Sequence, residues 1–401
     1  MSLLLLPSLT GYFQPSLFSL NSRVVCHVSV SDPENSADSL NGASSIPPSL
    51  SMSRRSSSSV PPPPVSSNPP DYFHDFGDNL HQRALAERWA DFVGPWQKRF
   101  EAEKPFFVKV MNEILSKRSG IEENLKNAGI GMKPTEVNIA EFAQERPDII
   151  EDKLRFIDVG AGSEGLEGIK LAQNYPNVVI PYLNEVDPFY RAILEKNLVR
   201  KGVKSKVNVT DHYWHEMPFN YRKRFDLLFN LGNGFPYLET HGDQMAALIR
   251  FSDLLEDETS RAVIDIRNSS KLKRKMKWYL DRGKSIPGEK FSSTAAPMYN
   301  GDEVRSMPID YDERFNSMLF QYSYTDPERH EKYGDAYLRM SALEVQDMMD
   351  LFAHARIDVK NVFGDFKPLD FTKKGPASYG SWKTEDGEEP NYYEFVIGKA
   401  A

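Results

Sequence analysis

An α/β fold built on a doubly wound, mostly parallel sheet is predicted by three observations. Short apolar runs recur from residue 154 onward, long enough for buried strands and too short for helices, and they alternate with helical patterns. The first run, Leu154 to Val159 with Asp158 near its end, leads into Gly160, Gly162 and Gly165 and then a helical pattern at Leu166, Ile169, Leu171 and Ala172. A second run, Val178 to Leu183, ends at Glu185, about twenty residues past the glycine turn, where nucleotide-binding folds hold a ribose with a carboxylate.

Strand, glycine turn and helix form the Rossmann-like start, because a turn without Cβ atoms lets the backbone approach a ligand closely. The elements then follow in order. Pro188 opens a helix through Ile193, Leu194 and Leu198 to a stop at Gly202. Lys206 to Val209 is a third strand, ending at Asp211 and His212, and Phe225 to Asn230 is a fourth. Met245 to Leu255 is a helix, Ala262 to Ile266 a fifth strand and Lys271 to Leu280 a helix. Right-handed crossovers between such strands give a mostly parallel sheet. After this the character changes. Met318 to Tyr324 and Ala336 to Ser341 read as paired strands, Ala342 to Ala355 as a helix, and Ile357 to Val362 and Glu394 to Lys399 as antiparallel C-terminal strands.

Upstream of the sheet, residues 1–71 are rich in serine and proline and cannot bury enough apolar surface to offset their ordering entropy. The segment lacks lysine, as transit peptides can, but carries Asp32, Glu34 and Asp38, so a targeting segment and a disordered tail both stay open. Residues 72–401 are expected to form one domain. Its residues 72–152 make an N-terminal helical region: a helical pattern from Leu80 to Ser116, interrupted at Pro95 and Pro105, then a polar excursion over 118–152 with a short helix near Ala140. The aromatic face of the first helix (Trp89, Phe92, Trp96, Phe100) reads either as packing on the sheet or as a lid over a cofactor.

Composition narrows the partners. The chain of 401 residues carries a net charge of −8, which argues against a nucleic-acid surface. The local patch Lys271, Lys273, Arg274, Lys275 and Lys277 reads as a solvated helix face. Cys26 is the single cysteine, so no disulfide forms within the chain. No apolar run reaches the ~18 residues of a membrane span, so no membrane partner is expected. The protein is placed in the cytoplasm or an organelle, neither secreted nor membrane-spanning. His212 and His215 lack a third ligand, and no metal site is assigned.

Ligands of an open parallel sheet bind beyond the carboxyl ends of its strands. Those ends carry Asp158, Gly160 and Gly162, then Glu185, then Asp211 and His212, then Leu231, Gly232 and Asn233, then Arg267 and Asn268. An acid just before the first glycine resembles the Rossmann-like S-adenosylmethionine-dependent methyltransferases more than dehydrogenases, which keep that position apolar. Arg267 offers a planar fork that matches a carboxylate, or pairs with a structural acid such as Asp265 or Glu258. Asn233, in its glycine-flanked loop, can donate and accept at short range.

LGNGFPYL (Leu231 to Leu238) followed by RAVIDIRN resembles the glycine and glycine/sarcosine N-methyltransferases, whose pattern is roughly LGNSFxHL followed by LLxIDxRNYD. FGDNLHQ at Phe76, KRFEAEKPFF at Lys98, MYNGDEV at Met298 and FGDFKP at Phe363 are similar to further stretches of that family, in the same order. The resemblance implies S-adenosylmethionine as cofactor and methyl transfer to the amine of glycine or sarcosine, serving betaine synthesis or balance of the methyl-donor pool. It also implies that Trp89 and Arg99 face the cofactor, Asp158 and Gly162 frame its loop, and Gly160 and Glu185 take its methionine end and ribose. Asp211 and His212 would flank the adenine, Leu231, Gly232 and Asn233 would line the transfer site, and Arg267 would clamp the carboxylate with Asn233 and Tyr299 beside the amine. Departures fall around the substrate pocket: GAGSEG replaces ACGTG, GNSF has become GNGF, Tyr237 stands for a histidine, and RNYD is RNSS. Methylation of another small amine therefore stays open, as do an NAD-dependent oxidoreductase and a non-catalytic binding protein. The sequence leaves the oligomeric state, a homo-oligomer included, unassigned.

Overall fold

The computed structural model describes residues 96–284, 289–292, 303–325, 332–374 and 382–399. The expectations for residues 1–71, Trp89 and Tyr299 lie outside these residues. In chain order the helices and strands are α1 (Trp96–Leu115), α2 (Ile121–Asn127), α3 (Ile139–Glu145), β1 (Leu154–Asp158), α4 (Leu166–Asn174), β2 (Val179–Asn184), α5 (Pro188–Arg200), β3 (Asn208–Thr210), β4 (Leu227–Asn230), α6 (His241–Leu254), β5 (Arg261–Arg267) and α7 (Ser269–Leu280). They continue with β6 (Glu289–Ser292), β7 (Glu303–Asp312), β8 (Ser317–Thr325), β9 (Lys332–Ser341), α8 (Val345–His354), β10 (Ile357–Gly364), β11 (Lys367–Lys374), β12 (Trp382–Thr384) and β13 (Tyr392–Lys399).

Nine strands form one sheet in the order β12-β11-β10-β13-β5-β4-β1-β2-β3. β1 to β5 run parallel, and β13 enters antiparallel between β5 and β10. The fold is thus a Rossmann-like α/β fold with antiparallel C-terminal strands. Strand alternation sends Leu154, Phe156, Phe229 and Val263 to the core under α1, α3, α4 and α5, and Ile157, Leu228, Ile264 and Phe395 to the core under α6 and α8. β5 is buried over its whole length, as a central strand covered on both faces must be.

α1 runs unbroken through Pro105, where the sequence predicts an interruption. Proline removes one helical donor. Here Phe106 and Phe107 beside it are buried and pack on Phe363, Phe366 and Phe229, which holds the helix on the sheet. The polar stretch 118–152 is not a loose excursion: Ile121, Leu125, Ile139, Ala140, Ala143 and Ile149 join the same core. β8 and β9 pair as expected, but in a second, four-stranded antiparallel sheet with β6 and β7. β7 carries Pro308 at a register shift, where a missing donor is tolerated, and that residue masks the strand in the sequence.

Candidate functional site

The parallel strands end on one edge, and the glycine turn leaves β1 there. The Asp158 carboxylate accepts from the Gly160 N–H at 3.1 Å, which closes the turn. Gly162 (φ 61°) and Gly165 (φ 52°) are left-handed, a conformation that L residues with a Cβ avoid. A Cβ on Gly165 would lie 2.5 Å from Leu194, and one on Gly168 would lie 2.2 Å from Leu183. Gly165 and Gly168 therefore serve helix-to-sheet packing, and the sequence reading missed Gly168.

Glu185 follows β2 and is fully buried. One carboxylate oxygen accepts from the Asp187 N–H at 2.9 Å, and the other has no partner among the described residues. Burial pushes its pKa up to about 8, with the neighbouring Asp187 charge adding to it against the Gly162 and Asp187 backbone donors and Arg191. The residue before it was not singled out from sequence and ties the edge together. Asn184 donates to the carbonyls of Val159 (3.0 Å) and His212 (2.9 Å) and accepts from the His212 N–H (2.9 Å) and the Thr210 hydroxyl (3.0 Å). Its amide thus locks the ends of β1, β2 and β3 side by side. Asp211 and His212 are brought to this edge. Asp211 pairs with Arg191 at 3.1 Å, and the His212 ring lies against Tyr221.

Beyond β4 the chain turns through Leu231, Gly232 and Asn233. Asp265 of β5 fixes that turn, accepting from the Gly232 N–H at 2.7 Å and from the Asn233 N–H. Asn233 is left-handed at φ 65°. Its side chain is committed within the protein: Oδ1 accepts from the Arg267 N–H at 2.7 Å and Nδ2 donates to the Met340 sulfur at 3.1 Å. The Asn233 amide thus holds the loop to β5 and to the second sheet. The Arg267 guanidinium, largely buried, lies over the Phe320 ring at 5.3 Å and the Tyr392 ring at 5.7 Å. The carboxylate of Asp265, one of the structural acids that Arg267 could pair with, is engaged by the turn amides. Asn230, the last residue of β4, is fully buried, and neither atom of its amide has a partner among the described residues. Its signal in the sequence is no more than a polar residue ending an apolar strand.

Arg99 lies in the first turn of α1. Among the described residues no group of three or more metal-ligating side chains occurs, and no helix is long and apolar enough to cross a membrane. The basic patch on α7 is mostly used inside the fold: Lys271 donates to Asn391, Lys273 pairs with Glu344, and Arg274 pairs with Glu389. A cavity of about 270 Å³ lined by Arg118, Arg155, Asp226 and Glu256 lies at the opposite, N-terminal edge of the strands.

No family model matches the chain, and no curated protein matches it in sequence. Among solved structures it is similar to an S-adenosylmethionine-dependent methyltransferase from Clostridium acetobutylicum (13% identity, TM-score 0.42, 62% of this chain and 84% of that one). It is also similar to the CcbJ methyltransferase from Streptomyces caelestis (12%, 0.47, 65% and 90%). A third similar structure is a putative sarcosine dimethylglycine methyltransferase from Galdieria sulphuraria (12%, 0.26, 40% and 57%).

Proposed function

We propose that the chain is an S-adenosylmethionine-dependent N-methyltransferase acting on the amine of a small amino acid, glycine or sarcosine first. The observation that carries the reading is Glu185: a fully buried carboxylate with one oxygen unpartnered among the described residues, at the end of β2 and across from a left-handed glycine turn. A buried carboxylate oxygen left without a donor is costly, and a ribose hydroxyl supplies the donor it lacks. The antiparallel β13 between β5 and β10 supports a methyltransferase over an oxidoreductase, since such strands are common at this end of methyltransferase sheets.

In this reading Asp158, Gly160 and Gly162 hold the methionine end and Glu185 the ribose. The bound cofactor supplies an activated methyl group. The protein's task is orientation, with acceptor nitrogen, methyl and sulfur in line. Arg267 takes the acceptor's carboxylate, the two aromatic rings beside it limiting its rotamers. Gly232 and Asn233, pinned by Asp265, give the transfer site a rigid wall. The acceptor amine must be neutral, so the rate is expected to rise toward alkaline pH. Because the Asn233 amide is engaged, discrimination among amines falls to shape and to the Arg267 clamp. That favours a second acceptor class, other small amines bearing a carboxylate.

Methyl transfer from labelled cofactor to glycine, sarcosine and dimethylglycine, run beside Arg267→Ala, tests this. Activity that falls about a hundredfold in kcat/KM through a raised KM is expected, as for a lost charge-assisted pair. Binding of NAD without S-adenosylmethionine would overturn the reading.

A further inference from the structure

Arg267 and the Asn233 turn, the two groups placed at the acceptor, are each touched from the second sheet. The Arg267 guanidinium lies over the Phe320 ring of β8 at 5.3 Å and over the ring of Tyr392, its cross-strand partner on β13, at 5.7 Å. One ring therefore comes from each sheet. Aromatic faces hold a planar guanidinium in a set orientation. Met340 of β9 takes the Asn233 amide on its sulfur at 3.1 Å. Met318 stands opposite Met340 and Phe320 opposite Leu338, so Phe320 and Met340 are diagonal neighbours on one face of the β8–β9 pair, about 7 Å apart. Met318, Phe320 and Met340 are all buried.

The β8–β9 pair is fastened to the rest of the fold at two further points. The Ser341 hydroxyl donates to the Leu238 carbonyl at 2.9 Å and accepts from the Gln244 amide of α6 at 3.1 Å. Lys273 of α7 donates to Asn316 in the β7–β8 turn at 3.1 Å and to Glu344 just before α8 at 2.9 Å. Asn233 in turn accepts from the backbone N–H of Arg267 itself at 2.7 Å. The reach from the transfer turn to the guanidinium is therefore that of one arginine side chain, with its far end held by Phe320.

We propose that Phe320 and Met340 are positioning residues that set this reach, and so make the site select an amine one carbon from its carboxylate over longer homologues. Phe320 fixes where the carboxylate ends, and Met340 fixes the turn against which the amine sits. An acceptor of matching length brings its nitrogen into line with the methyl group, and each added carbon pushes it out of line. Loosening either contact lets the fork or the turn swing. That costs the short acceptor its alignment and costs a longer, more flexible one less.

The catalytic part of this inference rests on the methyltransferase reading; the selection of length does not. Phe320→Leu and Met340→Leu keep a buried apolar side chain and remove the ring face and the sulfur, respectively. Each is compared with wild type on glycine, β-alanine and 4-aminobutyrate. The glycine KM is expected to rise about tenfold in Phe320→Leu and about threefold in Met340→Leu, with kcat and the cofactor KM within about twofold. The preference for glycine over β-alanine in kcat/KM is expected to fall by the same factors, and Phe320→Tyr, which keeps the ring face, should restore it. Variants that lose kcat alike on every acceptor and keep the preference would overturn the proposal, as would a wild type indifferent to length. Should Phe320→Leu fail to fold, Met340→Leu and Phe320→Tyr decide by the same readout. Should no amine be methylated, the methyltransferase reading fails, and calorimetric titration with glycine and β-alanine decides the proposal by itself. A wild-type preference in Kd that the leucine variants lose supports it. Absence of binding to wild type, or a preference that the variants keep, overturns it.

Discussion

At the scale of single residues, two buried polar groups carry opposite messages. Glu185 has a carboxylate lifted by burial to about 8. The folded chain therefore favours its neutral form: its contribution to stability is full below the ordinary carboxylate pKa and is lost as pH rises through about 8. A ribose that donates to the carboxylate favours the ionised form instead, so cofactor binding should release a proton below that pH. Affinity for S-adenosylmethionine is expected to climb by up to about tenfold per pH unit between roughly pH 6 and 8 and then level off. Calorimetric titration in buffers of different ionisation heat checks the proton, and Glu185→Gln should bind weakly with no pH slope. Among the described residues Asn230 has no partner for either end of its amide. Burying an unsatisfied amide costs about 1–3 kcal/mol. Asn230→Leu, which keeps the volume, is expected to raise the free energy of unfolding in urea by about 1 kcal/mol. A loss of stability instead would mean that the amide is satisfied in solution.

At the scale of elements, the sequence carries the sheet well and the additions poorly. The parallel strands and their helices were legible because buried strands are short continuous apolar runs and their helices are amphipathic. β7 was not, because Pro308 and the surrounding acids hide it, and its strand is completed only by pairing with β8. α1 was legible up to its proline; its continuity is a tertiary effect of Phe106 and Phe107. In the site, acids and glycines at strand ends were visible, while Asn184 was not, since its four hydrogen bonds join segments that only the fold brings together. Gly168 is the same lesson in packing. It lies inside α4, where glycine is unfavourable by about 1 kcal/mol, yet a Cβ there would meet the buried Leu183. Gly168→Ala is expected to destabilise by about 1–3 kcal/mol in spite of its better helix propensity, measured by urea denaturation. A stabilised variant would show that Leu183 can move away, and that α4 does not need the close approach to β2.

For the whole molecule, the ligand edge and the opposite edge of the sheet do different work, and α1 joins them. A helix of this length spans about 30 Å. In its first half Glu103 faces Glu394 of β13, opposite Asp265 near the ligand edge, and Glu113 near its end reaches the N-terminal end of β5. There Arg261, almost wholly buried, donates twice to the Glu113 carboxylate at 2.7 and 2.9 Å and to the carbonyls of Glu258 and Ser260. Arg118 pairs with Asp226, and Arg155 with Glu256, in the same layer. Burial raises the Glu113 pKa, but the hydrogen bonds and charges of Arg261 and Lys117 outweigh it and hold the carboxyl below its usual range. Its stabilisation is therefore present above the ordinary carboxylate pKa and is lost as pH falls through the lowered one. Glu113→Ala leaves a buried guanidinium short of an acceptor. Because Glu113 itself is partly exposed, the expected cost is about 2 kcal/mol rather than the 3–5 of a fully buried pair. The loss should shrink in acid, where the wild-type carboxyl is protonated as well. Methyl transfer per folded molecule should be unchanged, because the ion pairs of this layer join the N-terminal ends of the strands, away from the ligand edge. A Glu113→Ala protein with normal stability but impaired turnover would reverse that division, and would make α1 a conformational link between the two edges rather than a strap across them.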